Sequence, residues 1–235
     1  MIISYRQFLQ LCIVVLTVFL AGPGQAVIID FTGGTITRWD TSTAVTDGTF
    51  NSQSVDYYVE NGFKLDFIGA QTDPFESIVG NYYGGTNDVI HGHWATGAFG
   101  GLVQIIVTKT DNTAFDLNYF ILTSDTDSGG EPASGNERTF IHASTDGTTS
   151  SYSLLLPPDD WGFAGSNPQI FLDSNFDAIK AFWFTAENTV DCFGMDNFYI
   201  DEPAPPPVPE PSTLVLLGCG LVGLATLIRR RRQRA

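Results

Sequence analysis

The sequence predicts an all-β fold in which two sheets pack face to face as a β-sandwich. Short runs rich in β-branched and aromatic residues recur between Val27 and Asp201, separated by Gly, Asn, Asp, Ser and Thr. No stretch of ten residues there has the apolar period of an amphipathic helix. Apolar and polar residues alternate over residues 63–67 and 115–121, which is typical of strands with one buried face.

These runs define ten candidate strands. They comprise residues 27–31, 55–60, 63–68, 89–93, 102–109, 115–122, 139–144, 151–156, 179–185 and 194–200. Asn61-Gly62 separates two of them and predicts a tight type I′ hairpin, because both central positions of that turn need a positive φ. Asp146-Gly147 is a looser turn signal between two later strands.

Residues 1–26 are typical of a secretory signal peptide. A single cation, Arg6, precedes an apolar run over residues 8–21, and small residues follow at the spacing that signal peptidase requires. The run is short for a membrane span and ends in a helix-breaking Gly-Pro-Gly, which disfavours the alternative of an N-terminal anchor. We predict cleavage after Ala26 and an exported domain over residues 27–201.

The C-terminal segment has three consecutive parts. Residues 202–211 contain six prolines, which predicts a stiff linker because no strand or helix interior accepts them. Residues 212–228 carry no charge and, as a helix, barely span a bilayer. An arginine-rich tail over residues 229–235 closes the chain and is predicted to stay in the cytoplasm by the positive-inside rule. A buried core helix with a basic tail is the alternative.

This three-part segment resembles the PEP-CTERM sorting signal over residues 208–235. The matching residues are Pro209, Glu210, Pro211, Arg229, Arg230, Arg231 and Arg232. The resemblance implies recognition and cleavage by a membrane-embedded exosortase in a bacterium with a Gram-negative-type envelope. It also implies delivery to the envelope, the extracellular polysaccharide or the biofilm matrix, with the apolar helix anchoring the protein in the membrane before processing.

The predicted exported part is strongly acidic. Between Asp30 and Glu210 the sequence has 26 acidic side chains against five basic ones, a net charge of −21. Such a field disfavours nucleic acids, because neutralising phosphates requires clustered cations. It also disfavours anionic polysaccharide and favours cations such as calcium.

A second resemblance covers most of the exported domain. Residues 58–63, 115–117 and 195–200, taken in order, resemble exported bacterial jelly-roll domains, which are similar to carbohydrate-binding modules. The resemblance implies a jelly-roll-like sandwich with a calcium site that joins early and late strands, for which Asp30 and Asp196 are the candidate ligands. The alternative is that Asp196-Asn197 merely ends or bends the last strand.

Aromatic residues in or beside predicted loops are candidates for glycan binding. Trp39, Trp94 and Trp161 lie in such places, and exposed aromatic rings stack on the apolar faces of sugars. The alternative is that these residues cap the ends of the sandwich. Trp183 lies inside a predicted strand between two phenylalanines and is predicted to pack in the core.

His91 and His93 are predicted to project from the same side of one strand, as two ligands of a transition metal would. The sequence identifies no third ligand, and a histidine pair at the surface end of a strand is the alternative. After signal removal Cys192 is the only cysteine in the predicted domain, so an intradomain disulfide is excluded.

The sequence predicts a non-catalytic, exported envelope or matrix protein with an adhesive or polysaccharide-associated role. It contains no Gly-x-Ser-x-Gly nucleophile motif, and its many carboxylates would form suitably spaced pairs by chance. A carbohydrate-active enzyme on the same scaffold is one alternative. A purely structural surface protein without a small ligand is the other.

Overall fold

A computed structural model describes residues 26–49, 53–69, 77–81, 88–97, 100–126, 135–157 and 167–202. The chain divides into two units after Glu202, and Pro203–Ala235 lies outside the described residues. The predicted signal peptide, linker, apolar segment and arginine tail therefore also lie outside them, apart from Ala26 and Glu202. Within the described ranges no helix is long and apolar enough to cross a membrane.

The regular structure in the described part of the chain is β-strand with almost no helix, which confirms the all-β prediction. Its strands are β1 (Val27–Ile29), β2 (Thr32–Thr37), β3 (Thr43–Asp47), β4 (Gln53–Ser54), β5 (Tyr57–Glu60), β6 (Phe63–Ile68), β7 (Ser77–Gly80), β8 (Val89–His93), β9 (Gln104–Lys109), β10 (Leu117–Thr126), β11 (Arg138–Ser144), β12 (Tyr152–Leu155), β13 (Gln169–Phe171), β14 (Ala181–Glu187) and β15 (Cys192–Ile200). A short 3-10 helix spans Ser174–Phe176.

The strands form two antiparallel sheets, as expected for a β-sandwich. Sheet A has the order β13-β10-β15-β8-β7-β4, and β1 also pairs with β15. Sheet B has the order β12-β11-β14-β9-β6-β5-β2-β3. Rings from the two sheets meet in a shared core: Phe120 contacts Phe184 and Phe198 contacts Phe182, each with centroids 5.3 Å apart. The side of each sheet that points away from this core is here called its outer face.

Each of the ten predicted strands has a counterpart, and those at residues 63–68 and 89–93 have the predicted bounds. The Asn61-Gly62 hairpin is also confirmed, because φ is +48° at Asn61 and +81° at Gly62 between the paired residues Glu60 and Phe63. Five strands were not predicted: β2, β3, β4, β7 and β13. Gly and Thr dominate β2, and the other four are short strands of two to five residues.

A bulge interrupts β15 between Met195 and Phe198. Both residues are fully buried in the core, and two residues lie between them. In a regular strand, residues that point to the same face have only one residue between them. Asn197 has a φ of +48°, and its backbone N–H donates to the Asp196 carboxylate at 2.8 Å. The interpretation that Asp196-Asn197 bends the last strand agrees with this geometry. Because of the bulge, Cys192 before it and Tyr199 after it both project from the outer face.

Candidate functional site

A row of large side chains crosses four strands on the outer face of sheet A. Tyr119 of β10 lies opposite both Phe171 of β13 and Tyr199 of β15, and Tyr199 lies opposite Ile28 of β1. Residues directly opposite each other in antiparallel strands project from the same side of a sheet. These four residues are here called the aromatic rung. With neighbouring strands about 4.8 Å apart, the rung is about 14 Å long.

The aromatic rung is open to solvent although its members are mostly apolar. Phe171 is 69% exposed and Ile28 is 40% exposed, while Tyr119 and Tyr199 are half-buried. The two tyrosine rings stack with centroids 3.9 Å apart and planes 19° apart, and the Tyr119 and Phe171 centroids are 5.4 Å apart. A contiguous exposed apolar surface of this kind is typical of an interaction site.

Polar groups flank the rung where β15 ends. The Glu202 backbone N–H donates to the Asn118 side-chain oxygen at 2.8 Å. Partial burial, followed by the charge of Glu202, raises the pKa of Tyr119 to about 12. The phenol is therefore protonated at neutral pH. Aromatic faces with hydroxyl, amide and carboxylate groups beside them suit a polyhydroxylated ligand.

The tryptophans predicted to bind glycans do not belong to this surface. Trp94 is only 1% exposed and its ring lies 5.8 Å from Phe193 in the core, so the prediction that it stacks on a ligand is wrong. Trp39 is half-buried and packs against the core, and its role as a ligand contact stays a prediction. Trp161 lies outside the described residues.

Sequence reasoning missed the aromatic rung because a register shift changes the outward face of β10. The alternation over residues 115–121 places Tyr119 on the same side as Phe115 and Leu117. A shift between Leu117 and Tyr119 instead turns Phe120 into the core and Tyr119 outward. The exposed ring of Phe171 comes from β13, a strand that was not predicted from the sequence.

Trp183 also lies away from its predicted position. It is half-buried on the outer face of sheet B, whereas Phe182 and Phe184 on either side of it point into the core. Its ring stacks on His142 at 5.5 Å, and the two nitrogens of His142 bond to Ser153 and Thr185, at 2.7 and 2.8 Å. Both ring nitrogens of His142 therefore have hydrogen-bond partners within the protein.

The predicted calcium ligands both make local hydrogen bonds. Asp30 accepts a bond from the Thr32 backbone N–H at 3.0 Å, and Asp196 accepts bonds from the backbone and the amide of Asn197. Neither aspartate belongs to a group of three or more metal-ligating side chains within the described ranges. Calcium binding by Asp30 and Asp196 stays a prediction.

Three metal-ligating side chains do meet elsewhere on the outer face of sheet A. The ligand atoms of His91, His93 and Cys192 all lie within 4.8 Å of one another. The two imidazole rings are 5.1 Å apart and perpendicular, and Cys192 lies directly opposite His93 in the pairing of β15 with β8. These three residues are here called the His-Cys cluster.

Burial distinguishes the His-Cys cluster from a surface pair. His91 is 1% exposed, Cys192 is buried and His93 is half-buried, so the interpretation of the histidines as a surface pair at a strand end is wrong for His91. Burial, followed by the neighbouring His93, holds the pKa of His91 well below 6.5. The His91 imidazole is therefore neutral near pH 7, which is the form that binds metals.

The sorting motif predicted at the C-terminus is confirmed by comparison with known families. Residues 207–232 match the PEP-CTERM protein-sorting motif. A motif of this kind implies an exported, envelope-associated protein that an exosortase-type enzyme processes. No curated protein matches the sequence.

Two solved structures show a distant similarity to this chain. The K3 cleaved adhesin domain of Lys-gingipain from Porphyromonas gingivalis w83 is 12% identical, with a TM-score of 0.36, and the match covers 66% of this chain and 96% of that domain. A DUF4465 family protein from Bacteroides caccae is 13% identical, with a TM-score of 0.34, and the match covers 77% and 88% of the two chains. Likenesses at this level say nothing about what this chain binds.

Proposed function

We propose that this chain is a non-catalytic, exported envelope protein that binds neutral polysaccharide through the aromatic rung. The observation that carries the proposal is the exposed row of stacked rings across four strands of sheet A. A flat row about 14 Å long can lie against several consecutive sugar rings of an extended glycan. The flanking Asn118 and Glu202 groups would then bond to sugar hydroxyls.

The charge of the domain favours a neutral glycan over an anionic one. With a net charge of −21 between Asp30 and Glu210, the protein repels acidic polymers at low ionic strength. Stacking on aromatic rings needs no charge on the sugar and is therefore unaffected by this field. Adhesion to a neutral polymer of the envelope or matrix is consistent with both features.

The sorting motif supports the proposed route to that location. In this scheme the domain is a jelly-roll-like sandwich on a proline-rich linker, anchored in the membrane by residues 212–228 after export. An exosortase-type enzyme then recognises the Pro209-Glu210-Pro211 signature and releases the protein to the cell surface or the extracellular matrix. The arginine tail keeps the C-terminus cytoplasmic until that step.

The position of the rung favours binding over hydrolysis. Glycoside hydrolases place two carboxyl groups on opposite sides of the scissile bond, usually across a cleft. The aromatic rung lies instead on the outer face of a sheet, with Glu202 at one side. A carbohydrate-active enzyme and a structural protein without a ligand are the two alternatives that an experiment must separate.

Affinity electrophoresis of the full chain in mild detergent tests this proposal. Native gels would contain hydroxyethyl cellulose, xyloglucan or dextran as neutral polymers and alginate as the anionic one. We expect at least one neutral polymer to retard the protein and alginate to leave its mobility unchanged. We also expect Phe171→Ala combined with Tyr199→Ala to weaken binding at least tenfold, about 1.4 kcal/mol.

The matched control is Phe140→Ala, which removes a half-buried ring next to His142 in the aromatic cluster of sheet B. This variant should bind the polymer as the unchanged chain does. If no neutral polymer retards the protein, the structural alternative replaces the proposal. If the chain releases new reducing ends from a polymer, the enzymatic alternative replaces it.

A further inference from the structure

The His-Cys cluster has the composition of a transition-metal site. It offers two imidazole nitrogens and one thiol sulfur, with no carboxylate among the three grouped ligands. Calcium and magnesium prefer oxygen ligands, whereas zinc and its neighbours in the first transition row prefer nitrogen and sulfur. The three ligands of the His-Cys cluster therefore disfavour calcium, the cation predicted at Asp30 and Asp196, and favour a transition-metal ion such as zinc.

We propose that His91, His93 and Cys192 bind one Zn²⁺ ion on the outer face of sheet A. This site is independent of the proposed glycan binding, which uses the other end of β15. Three protein ligands leave a fourth tetrahedral position for water or an external group. His93, which is half-buried, lies on the side through which such a group would enter.

The distances are compatible with a mononuclear site. In a tetrahedral zinc site, bonds of about 2.0–2.1 Å to nitrogen and 2.3 Å to sulfur place the donor atoms roughly 3.3–3.6 Å apart. The three donor atoms already lie within 4.8 Å of one another. Small side-chain rotations close the remaining gap, because the strand pairing has already brought the three backbone positions together.

The backbone that carries the ligands is braced on both sides. The His93 carbonyl accepts a bond from Leu102 N–H at 3.1 Å, and Trp94 N–H donates to the Asp191 carbonyl at 2.8 Å. A Cβ atom at Gly100 would collide with the His93 carbonyl, so only glycine permits this close approach. Such support restricts the positions of His93 and Cys192, as a preorganised metal site requires.

A bound ion would join two central strands of sheet A. His91 and His93 belong to β8 and Cys192 belongs to β15, so the ion would crosslink them in a domain whose single cysteine excludes an internal disulfide. Metal binding deprotonates the thiol and adds its free energy to that of folding. Zinc would thus stabilise the exported domain in the way that a disulfide stabilises other secreted proteins.

Metal analysis of the full chain in detergent, stripped with chelator and then dialysed against Zn²⁺, tests the proposal. We expect about one zinc per chain and a higher melting temperature than that of the stripped protein. With Co²⁺ in place of Zn²⁺ we expect a thiolate-to-cobalt absorption band and the strong visible bands of a tetrahedral ion. Cys192→Ser should abolish the thiolate band and weaken zinc binding at least roughly 100-fold.

Cys219→Ser and His142→Gln are the matched controls, because each removes a thiol or an imidazole that lies outside the His-Cys cluster. Both should keep the cobalt spectrum and the zinc content. His93→Gln provides a second cluster variant if Cys192→Ser fails to fold. The proposal is overturned if the unchanged chain shows no thiolate-to-cobalt band or if either control variant loses that band. It is also overturned if every cluster variant that folds retains zinc.

Discussion

The two ends of β15 present opposite environments on the same outer face of sheet A. At its start, Cys192 is buried beside His91 and His93. At its end, Tyr199 belongs to the open aromatic rung. Tyr199 lies seven positions after Cys192, which corresponds to roughly 23 Å along a strand. Metal-ligating side chains are thus buried at one end of this strand, and aromatic rings are exposed to solvent at its other end.

This comparison shows that burial, together with residue type, indicates what each end can bind. Buried imidazole and thiol groups offer nitrogen and sulfur ligands to a metal ion. Exposed rings remain in contact with water and gain from a flat partner that displaces it. The bulge at Asp196-Asn197 allows both arrangements, because it returns Phe198 to the core and Tyr199 to the outer face.

Replacing the inward neighbour of Tyr199 should have the largest effect on stability. Phe198 is fully buried among the rings of Phe31, Phe120, Phe182 and Phe184. We expect Phe198→Ala to lower the free energy of unfolding by about 4 kcal/mol, and Tyr199→Ala by less than about 1 kcal/mol. Urea denaturation of the two variants measures the difference. Similar losses would contradict the assignment of one side chain to the core and the other to the surface.

A smaller change should disturb only the end that carries the His-Cys cluster. Alanine at Gly100 would place its Cβ against the backbone of His93. We expect Gly100→Ala to lower the free energy of unfolding by about 3 kcal/mol through overpacking and to weaken zinc binding. Retention on the neutral-polymer gel should persist below the melting temperature. Loss of polymer binding in a folded Gly100→Ala protein would mean that the two ends are not independent.

A buried acid on sheet B should make stability depend on pH. Glu60 accepts bonds from the Tyr58 hydroxyl at 2.8 Å and from Phe31 N–H at 2.9 Å, and burial raises its pKa to about 7. The pKa of Glu60 in the folded state exceeds the usual 4.5, so the folded state favours the protonated carboxyl group. The contribution of this group to the free energy of unfolding is therefore complete below pH 4.5 and is lost as pH rises through 7. We expect a loss of about 2 kcal/mol between pH 5 and pH 8.

Urea denaturation at the two pH values measures that loss, with Glu60→Gln as the comparison. Glutamine keeps an oxygen that accepts both hydrogen bonds and removes the titration. The contribution of residue 60 to the pH dependence should therefore vanish in this variant. An equally steep dependence in Glu60→Gln would assign the effect to other groups.

The smallest expected effect lies in the β5-β6 hairpin, away from β15. Gly62 has a φ of +81°, a conformation that costs an L-residue about 1 kcal/mol. We expect Gly62→Ala to lower the free energy of unfolding by about that amount, while zinc and polymer binding stay unchanged. Differential scanning calorimetry and the two binding assays check this. A change in either binding activity would show that the hairpin contributes to one of the two ends.

Alternation and turn chemistry were sufficient to predict much of the fold. The strand at residues 63–68 and the Asn61-Gly62 turn depend on local patterns, and both agree with the structure. Local patterns fail where strands change register. The shift after Leu117 reverses the side from which Tyr119 projects, and no neighbouring residue in the sequence signals it.

The candidate sites depend on contacts between distant parts of the sequence. The same-side placement of His91 and His93 was predictable from their spacing in one strand. The third member, Cys192, is 99 positions beyond His93 and becomes its neighbour only through the pairing of β15 with β8. Trp94 was a candidate for glycan binding because it lies beside a predicted loop, yet its burial and its contact with Phe193 place it in the core.

The most direct test compares Tyr199→Ala with Cys192→Ser, two substitutions on the outer side of the same strand. Each variant would be measured for retention on the neutral-polymer gel and for the thiolate-to-cobalt band. We predict that Tyr199→Ala weakens polymer binding and keeps the cobalt band, whereas Cys192→Ser loses the band and keeps polymer binding. If each variant loses both properties, or if neither loses the one assigned to it, the two ends of β15 do not have the separate roles inferred for them.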